Sequence, residues 1–278
     1  MVRIDLHAHS LASDGTDTPA GVVEAAAAAG LDVVALTDHD STAGWEQAAQ
    51  AALRVGVRVV PGVEISCVAG WTSVHMLGYL IDPGHPGLLA EFERTRGDRI
   101  SRARRMVRLI NEDYPLTWAD VLEQVEDGAT VGRPHLADAL VARGHVADRD
   151  EAFEQILAGG SRYHVRHYAP QALDVVAMVR EAGGVPVMAH PRAGRRGRVV
   201  PDHVIAEFAA AGLAGLEADH RDHLPAERAQ LRVLAADLGL LVTGSSDYHG
   251  AGKPNALGEN LTAPEVLEAI LAQSGTSP

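Results

Sequence analysis

Near its start the chain reads Val2-Arg3-Ile4-Asp5-Leu6-His7-Ala8-His9, an apolar run that ends in two histidines. The run has the composition of a buried strand, and side chains two residues apart in a strand lie on the same face. We therefore expect His7 and His9 to share one face at the carboxyl end of a strand, close enough to bind one metal ion. A pair of surface histidines at a frayed end is the alternative, which the preceding apolar residues disfavour.

Short apolar runs alternate with alanine-rich helical stretches along the chain, which is typical of βαβ units in a parallel sheet. Helix ends are marked by residues such as Pro19 and Gly30 for the first helix and Ser41 and Gly56 for the second. The pattern predicts the α/β class and a barrel of βα repeats. The predicted strands are 2–7, 33–37, 57–65, 74–81, 185–189, 215–218 and 240–244.

The interval between the fourth and fifth predicted strands is too long for a simple connection, because it has roughly a hundred residues and a crossover needs about thirty. It carries helical patterns at 86–112, 117–126, 134–143 and 149–157. Leaving the carboxyl end of a strand, this helical insertion is expected to lie over the barrel mouth, where active sites of such folds are built. The predicted division is a barrel from residues 1–84 and 185–278, with the insertion and a return helix in 85–184.

Composition excludes several classes of protein. With 278 residues and 46% hydrophobic residues the chain can form one large domain. The 24 basic and 37 acidic residues give a net charge of −13, which argues against binding to duplex nucleic acid. The single cysteine, Cys67, excludes an intrachain disulfide. With no apolar run long enough for a membrane and no signal-peptide pattern, we expect a soluble, cytoplasmic protein without a membrane partner.

Further imidazole and carboxylate groups occur at the ends of other predicted strands. His39 follows the second strand, Glu64 lies near the end of the third, and His190 follows the fifth. A buried carboxylate is costly unless it is paired, so Glu64 is expected to bridge cations, while a helix cap or a solvated side chain is the alternative.

Asp247 and His249 follow the seventh predicted strand and repeat the spacing of the first histidine pair. His75 begins the fourth predicted strand, where a core histidine is an equal alternative to a ligand. Imidazole and carboxylate donors without thiolates suit manganese, iron or zinc in hydrolytic chemistry and argue against a structural zinc site.

Five motifs in order resemble those of the polymerase and histidinol phosphatase (PHP) superfamily of metal-dependent phosphoesterases. The resemblance implies a distorted (β/α)7 barrel that holds two to three divalent cations. The motifs are His7-x-His9, Thr37-Asp38-His39, Gly62-Val63-Glu64, Ala189-His190-Pro191 and Ser246-Asp247-x-His249.

The resemblance also implies how the ligands are grouped, with Glu64 bridging the first two ions. Asp14 departs from the pattern, because many relatives have histidine there, and without the resemblance it would be a turn residue. The implied ligand sets are His7, His9, Glu64 and Asp247 for the first ion; Glu64, His75 and His190 for the second; and Asp14, His39 and His249 for the third.

Within the superfamily, Gly132-Arg133-Pro134-His135 resembles the branch that hydrolyses nucleoside 3′,5′-bisphosphates and trims 5′ ends of short RNA. Arg133 can hold phosphate oxygens through its planar fork, and His135 can donate to a phosphate or a leaving oxygen. Capping of a helix is the alternative for both side chains. His220 or His223 could also contact substrate, although surface histidines are common.

Arginines form two clusters in the sequence. Arg192 begins a group with Arg195, Arg196 and Arg198 after His190, and we expect one or two of them to attract a second phosphate. The seven arginines between positions 94 and 108 spread around a predicted helix, which favours a solvated surface.

The expected activity is hydrolysis of a nucleotide phosphate monoester, chiefly the 3′-phosphate of a nucleoside 3′,5′-bisphosphate, with short oligonucleotides as further substrates. A metal-bridging hydroxide would attack phosphorus in line with the leaving oxygen. Glu64 and Asp247 would serve the metal centre, while His135, His223 or water could protonate the leaving group. A histidinol-phosphate phosphatase and a non-catalytic metal-dependent regulatory module are the alternatives.

Overall fold

Seven strands form one nearly closed barrel in the computed structural model, which describes residues 2–125, 131–166, 168–194 and 197–275. The strands follow one another around the sheet in chain order, and a bridge between Ala8 and Tyr248 connects its two edges. The predicted α/β barrel of seven strands is confirmed. The strands are β1 (Ile4–Ala8), β2 (Val33–Leu36), β3 (Arg58–Ala69), β4 (Thr72–Tyr79), β5 (Val185–Met188), β6 (Gly215–Asp219) and β7 (Leu241–Gly244).

Some helices pack on the outside of this barrel, and others form the insertion between β4 and β5. The second helix was expected to begin at Ser41, but it begins at Trp45, because Asp40 has a positive φ of 49° and Ser41 Oγ accepts from Ala43 N in a turn before the helix. The described helices are α1 (Pro19–Ala28), α2 (Trp45–Val55), α3 (Pro86–Ile110), α4 (Trp118–Leu122), α5 (Arg133–Ala142), α6 (Arg149–Gln155), α7 (Ala172–Glu181), α8 (Asp202–Ala210), α9 (Pro225–Leu238) and α10 (Pro264–Gln273).

β3 and β4 form a hairpin, so the repeat of strand and helix is not uniform as the sequence predicts. Only Gly70 and Trp71 separate the two strands, and both β3–β4 and β4–β5 are antiparallel. β4 therefore starts at the barrel mouth and ends at Tyr79, beside Val185 at the start of β5. This reversal explains why His75, at the start of a strand, lies at the mouth.

The insertion consequently leaves the barrel at the end opposite the mouth, which corrects the expected exit point. Helix α3 has 25 residues and spans about 37 Å, so it brings the chain back to the mouth. There Arg96 donates to Asp40 O at 2.6 Å. The inserted helices have their own apolar core, formed by residues between Ala103 and Tyr163. The proposed division into barrel and insertion domain stays a prediction.

Apolar packing supports the strands from outside. One cluster packs β2 against α1 and α2, and a larger cluster packs β3 to β6 against α7, α8 and α9. Burial of this kind contributes the main stabilisation of a fold and holds the strand ends in place. Within the described part of the chain, no helix has both the length and the apolar character that a membrane span requires.

Candidate metal centre

β1, β3 and β7 bring four buried side chains together at the barrel mouth. The Nε2 atoms of His7 and His9 are 3.0 Å apart, as expected for residues on one face. Glu64 Oε2 lies 3.3 Å from His7 Nε2 and 3.1 Å from His9 Nε2. Asp247 Oδ1 lies 3.4 Å and 3.3 Å from the same two nitrogens. Two imidazoles and two carboxylates thus converge on one point.

The carboxylate of Glu64 connects this group to further imidazoles. Its Oε1 lies 2.7 Å from His75 Nδ1 and 3.0 Å from His190 Nε2. Its Oε2 also lies 3.3 Å from His39 Nε2. A carboxylate whose two oxygens face different ligand groups is suited to bridge two cations.

Asp14 belongs to a third group, although it looks like a turn residue in the sequence. Its Oδ1 lies 3.3 Å from His249 Nε2, and its Oδ2 lies 3.9 Å from His39 Nε2. Asp38 holds the loop that carries Asp14, since it accepts from Ser10 N and Ser13 Oγ, both at 2.7 Å. The loop is therefore fixed by a carboxylate that is not itself in the cluster.

The ligand atoms of three overlapping groups lie within 4.8 Å of one another. Each group offers only imidazole nitrogens and carboxylate oxygens, while the buried thiol of Cys67 contacts Val74 O elsewhere. This donor set suits manganese, iron or zinc. The groups are His7, His9, Glu64 and Asp247; His9, Asp14 and His39; and His39, Glu64 and His75.

Electrostatics of the cluster favour positive charge at its centre. Burial lowers the pKa of His9, but Asp247, Glu64 and Asp14 outweigh burial and raise that pKa to about 9. Burial, with the charges of Lys253 and His9, lowers the pKa of His249 to about 4, so this ring is neutral at pH 7. A site that attracts a proton and also offers neutral imidazoles fits divalent cations, because cations compete with protons for the same lone pairs. The cluster is thus able to bind metal.

Glu217 supports the centre and was missed by sequence reasoning. Its Oε1 accepts from His7 Nδ1 at 2.9 Å and from Ser245 Oγ, and its Oε2 accepts from His190 N at 2.8 Å. The bond to Nδ1 leaves the Nε2 lone pair of His7 facing the cluster, which is how a carboxylate orients a metal-binding histidine. A glutamate inside the apolar run 215–218 was the available signal, since an unpaired carboxylate is not buried there without cost.

The backbone is strained where it turns into the centre. Asp40, His190 and Asp247 have φ values of 49°, 29° and 55°, in the left-handed region that side chains rarely adopt. Such conformations persist only where the surrounding contacts enforce them, and they concentrate at functional sites. The contact from His190 N to Glu217 is one such restraint.

Arg133 and His135 begin helix α5 at the edge of the mouth. Arg133 Nη1 donates to Leu157 O at 3.2 Å. His135 Nδ1 accepts from Gly132 N at 3.0 Å, so the capping alternative is realised for this ring. Burial lowers the pKa of His135, while the charge of Asp14 opposes this effect. His135 is thus neutral, and its proton lies on Nε2.

His223 and Arg192, which the sequence predicts as substrate contacts, form hydrogen bonds within the protein. His223 Nδ1 donates to Ala218 O at 2.9 Å, and its Nε2 accepts from Arg192 N at 3.1 Å. The guanidinium of Arg192 contacts Val200 O and Asp202. Both side chains hold loops together, and their contact with substrate stays a prediction. Arg195 and Arg196 lie outside the described residues.

Part of the arginine cluster on α3 turns inward, which corrects the expected solvated surface. Arg94, Arg104, Arg105 and Arg108 are exposed as predicted. Arg99 and Arg102, in contrast, line a cavity together with Arg133. The helical periodicity of α3 did not predict these inward side chains, because the insertion and the barrel mouth cover α3 on several sides.

This arginine pocket, formed by Arg99, Arg102 and Arg133, adjoins the metal centre. Arg99 Nη2 lies 3.0 Å from Asp40 Oδ2 and also contacts Ser66 Oγ. Asp40 follows His39, and Ser66 pairs with His75 across the hairpin. The arginine pocket and the candidate metal centre therefore share the walls of one mouth.

A protein-family model described as the PHP domain matches residues 5–158. The chain belongs to the PHP domain family. It is 36% identical over 260 residues to the 3′,5′-nucleoside bisphosphate phosphatase of Chromobacterium violaceum, covering 91% of this chain and 89% of the relative. The superfamily assignment made from the five motifs is thereby confirmed.

Other relatives of this PHP protein have related names. It is 34% identical over 251 residues to a phosphoribosyl 1,2-cyclic phosphate 1,2-diphosphodiesterase of Eggerthella lenta, covering 88% of this chain and 94% of the relative. It is 32% identical over 260 residues to a 5′-3′ exoribonuclease of Haemophilus influenzae, covering 93% and 94%.

A solved structure from Bifidobacterium adolescentis, provisionally described as a metal-dependent phosphoesterase, superposes with a TM-score of 0.96. It is 43% identical and covers 99% of this chain and 97% of its own. These relatives share hydrolysis of phosphoester bonds, so the chain is a metal-dependent phosphoesterase of the PHP family.

Proposed function

We propose that this PHP protein removes a phosphate from a nucleotide that carries a second phosphate, namely the 3′-phosphate of a nucleoside 3′,5′-bisphosphate. The observation that carries the proposal is the arginine pocket beside the metal centre. A named bisphosphate phosphatase at 36% identity supports the same substrate class.

The metal centre would hold two to three divalent cations, grouped as the motifs imply. Glu64 would bridge two of them, because its two oxygens face separate imidazole groups. When bound, such cations supply Lewis-acid chemistry and an activated water at neutral pH. The proposed ligands are His7, His9, Asp14, His39, Glu64, His75, His190, Asp247 and His249.

The arginine pocket would hold the phosphate that is not cleaved. Arg102 is buried and donates to Val165 O at 2.7 Å, which is a neutral acceptor. Burial and the charges of Arg133 and Arg99 lower the pKa of Arg102 to about 9. Positive charges crowded in this way are stabilised by an anion, and guanidinium forks match phosphate geometry.

His135 would hold a phosphoryl or leaving oxygen through Nε2–H. The bond from Gly132 N to Nδ1 orients the ring and places the proton on Nε2. A neutral imidazole donates a hydrogen bond readily but gives up its proton poorly, so we propose His135 as a hydrogen-bond donor.

The test is phosphate release by metal-loaded protein with manganese, iron or zinc. The substrates are nucleoside 3′,5′-bisphosphates, the matching 3′-monophosphates, histidinol phosphate and a phosphoribosyl cyclic phosphate. Loss of one charged hydrogen bond costs about 1.5–3 kcal/mol, so kcat/KM should be roughly 10- to 100-fold higher for the bisphosphate than for the 3′-monophosphate. Equal use of the two nucleotides, or a preference for histidinol phosphate, would contradict the proposal. Full metal occupancy with no phosphate release would instead support the regulatory module.

Short RNA is a second candidate substrate, which the Haemophilus influenzae relative supports by its name. A 5′-phosphorylated oligonucleotide also presents a terminal phosphate that the arginine pocket could hold. Shortening of such RNA from the 5′ end, followed by gel electrophoresis, tests this activity. The ribonuclease activity would be excluded if the oligonucleotide stayed intact under conditions in which the protein hydrolyses the bisphosphate rapidly.

A further inference from the structure

Lysine is almost absent from this chain. Of the 24 lysine and arginine residues one is lysine, Lys253, and all the others are arginine. The two side chains differ in chemistry, because lysine carries a compact charge on a flexible stem and arginine a planar fork. A chain that uses arginine at every other basic position thus presents its one side-chain ammonium at a single place, and that place is the metal centre.

Lys253 stands beside Asp247. Its Nζ lies 3.1 Å from Asp247 Oδ2, while the other oxygen, Oδ1, faces His7 and His9. The side chain of Lys253 is 31% exposed and that of Asp247 is 1% exposed. The ammonium therefore reaches Asp247 from the solvent side of the centre.

The loop that carries Lys253 is fixed on both sides. Before it, Ala251 N donates to Thr16 Oγ1 at 2.8 Å, and Gly252 N donates to His249 O at 3.3 Å. After it, the buried amide of Asn255 donates to Ser246 O at 2.6 Å. The backbone is held at the rim, and the four-carbon stem leaves the ammonium free to move within the mouth.

We propose that Lys253 binds a non-bridging oxygen of the phosphoryl group that is cleaved. When Asp247 ligates a cation, its carboxylate attracts the ammonium less strongly. Lys253 can then leave Asp247 and bind a phosphoryl oxygen instead. An arginine at this position would hold Asp247 more strongly, because a guanidinium can form two parallel hydrogen bonds to one carboxylate. The inference rests on phosphoesterase activity and not on the identity of the nucleotide.

The first test is the affinity for inorganic phosphate, the product of a phosphomonoesterase, measured by calorimetry on manganese-loaded protein. Lys253→Gln should weaken phosphate binding about 10- to 100-fold, as expected for one charged hydrogen bond. Its manganese content should equal that of the wild type. Arg232→Gln, which removes one charge from α9 where Arg232 contacts Asp219, is the matched control and should bind phosphate normally.

The second test uses Lys253 as the one side-chain amine of the protein. An amine-reactive ester should modify Lys253 and the amino terminus, and peptide mass spectrometry separates the two. Phosphate at about ten times its Kd should slow modification of Lys253 roughly tenfold and leave the amino terminus unaffected. Wild-type phosphate affinity in Lys253→Gln, absence of protection, or loss of manganese from that variant would each overturn the proposal.

Discussion

Replacing Glu217 by glutamine should weaken metal binding, although Glu217 is not among the proposed ligands. The carboxylate accepts from His7 Nδ1 and Ser245 Oγ at one oxygen and from His190 N at the other. All three partners are donors, whereas a glutamine amide has one oxygen and one NH2 group. Either orientation of the amide therefore points NH2 at a donor.

The size of the loss in metal affinity or stability depends on which hydrogen-bond partner of the carboxylate is lost. If NH2 faces His7, the ring shifts its proton to Nε2, the atom 3.0 Å from His9 Nε2 and 3.3 Å from Glu64. Loss of such an orienting partner costs about 10- to 100-fold in metal affinity, or about 1.4–2.7 kcal/mol. If NH2 faces His190, the buried unpaired donor lowers the free energy of unfolding by about 1–3 kcal/mol.

The assay is calorimetric titration of chelator-treated protein with manganese, together with urea unfolding of the same samples. Asp219→Asn is the matched control, because it makes the same charge change in β6 at a side chain that is 22% exposed and contacts Arg232. We expect the control to keep its metal affinity and unfolding free energy. Wild-type values for both quantities in Glu217→Gln would refute the reasoning, as would equal losses in the two variants.

Four further predictions concern the centre and the arginine pocket. Asp247→Ala should abolish phosphate release while circular dichroism shows a folded protein, and wild-type turnover with normal metal content would contradict the ligand assignment. The apparent affinity for manganese should rise at least tenfold per pH unit between pH 6.5 and 8.5, because the proton on His9, whose pKa is about 9, must leave before a cation binds, and because the pKa of His7 is also raised, despite burial, by Glu217, Glu64 and Asp247; a flat profile would argue against this competition. Chelation should lower the Tm by roughly 5 °C, since metal at 100 times its Kd adds about 2.7 kcal/mol; an unchanged Tm in scanning calorimetry would exclude tight binding. Arg102→Met should reduce kcat/KM for the bisphosphate about 10- to 100-fold and leave the 3′-monophosphate unchanged, whereas Arg105→Met, at an exposed position of α3, should change neither.

Much of the metal cluster could be predicted from the sequence because its signals are local. His7 and His9 follow from the two-residue period of a strand, and Asp247 with His249 repeats the spacing after the last strand. Carboxyl ends of parallel strands meet at one edge of a sheet, so local patterns suffice to bring such residues together. The barrel with its seven strands follows from the same alternation.

Direction of the chain could not be predicted in the same way. An antiparallel β4 has the same apolar pattern as a parallel strand, so nothing in the run 74–81 showed that His75 starts at the mouth. The inward direction of Arg99 and Arg102 depends on what packs around α3, which its own periodicity does not contain.

The sequence by itself determined which residues stand at the strand ends, since burial and period are properties of neighbouring residues. Only the tertiary structure decided which atoms face each other across the mouth. Glu217 meets His7 across 210 positions of chain, and both ring nitrogens of His223 are bonded to backbone groups of two different segments. Hydrogen bonds form between atoms about 3 Å apart, and closure of the barrel sets these distances between residues that no local pattern connects.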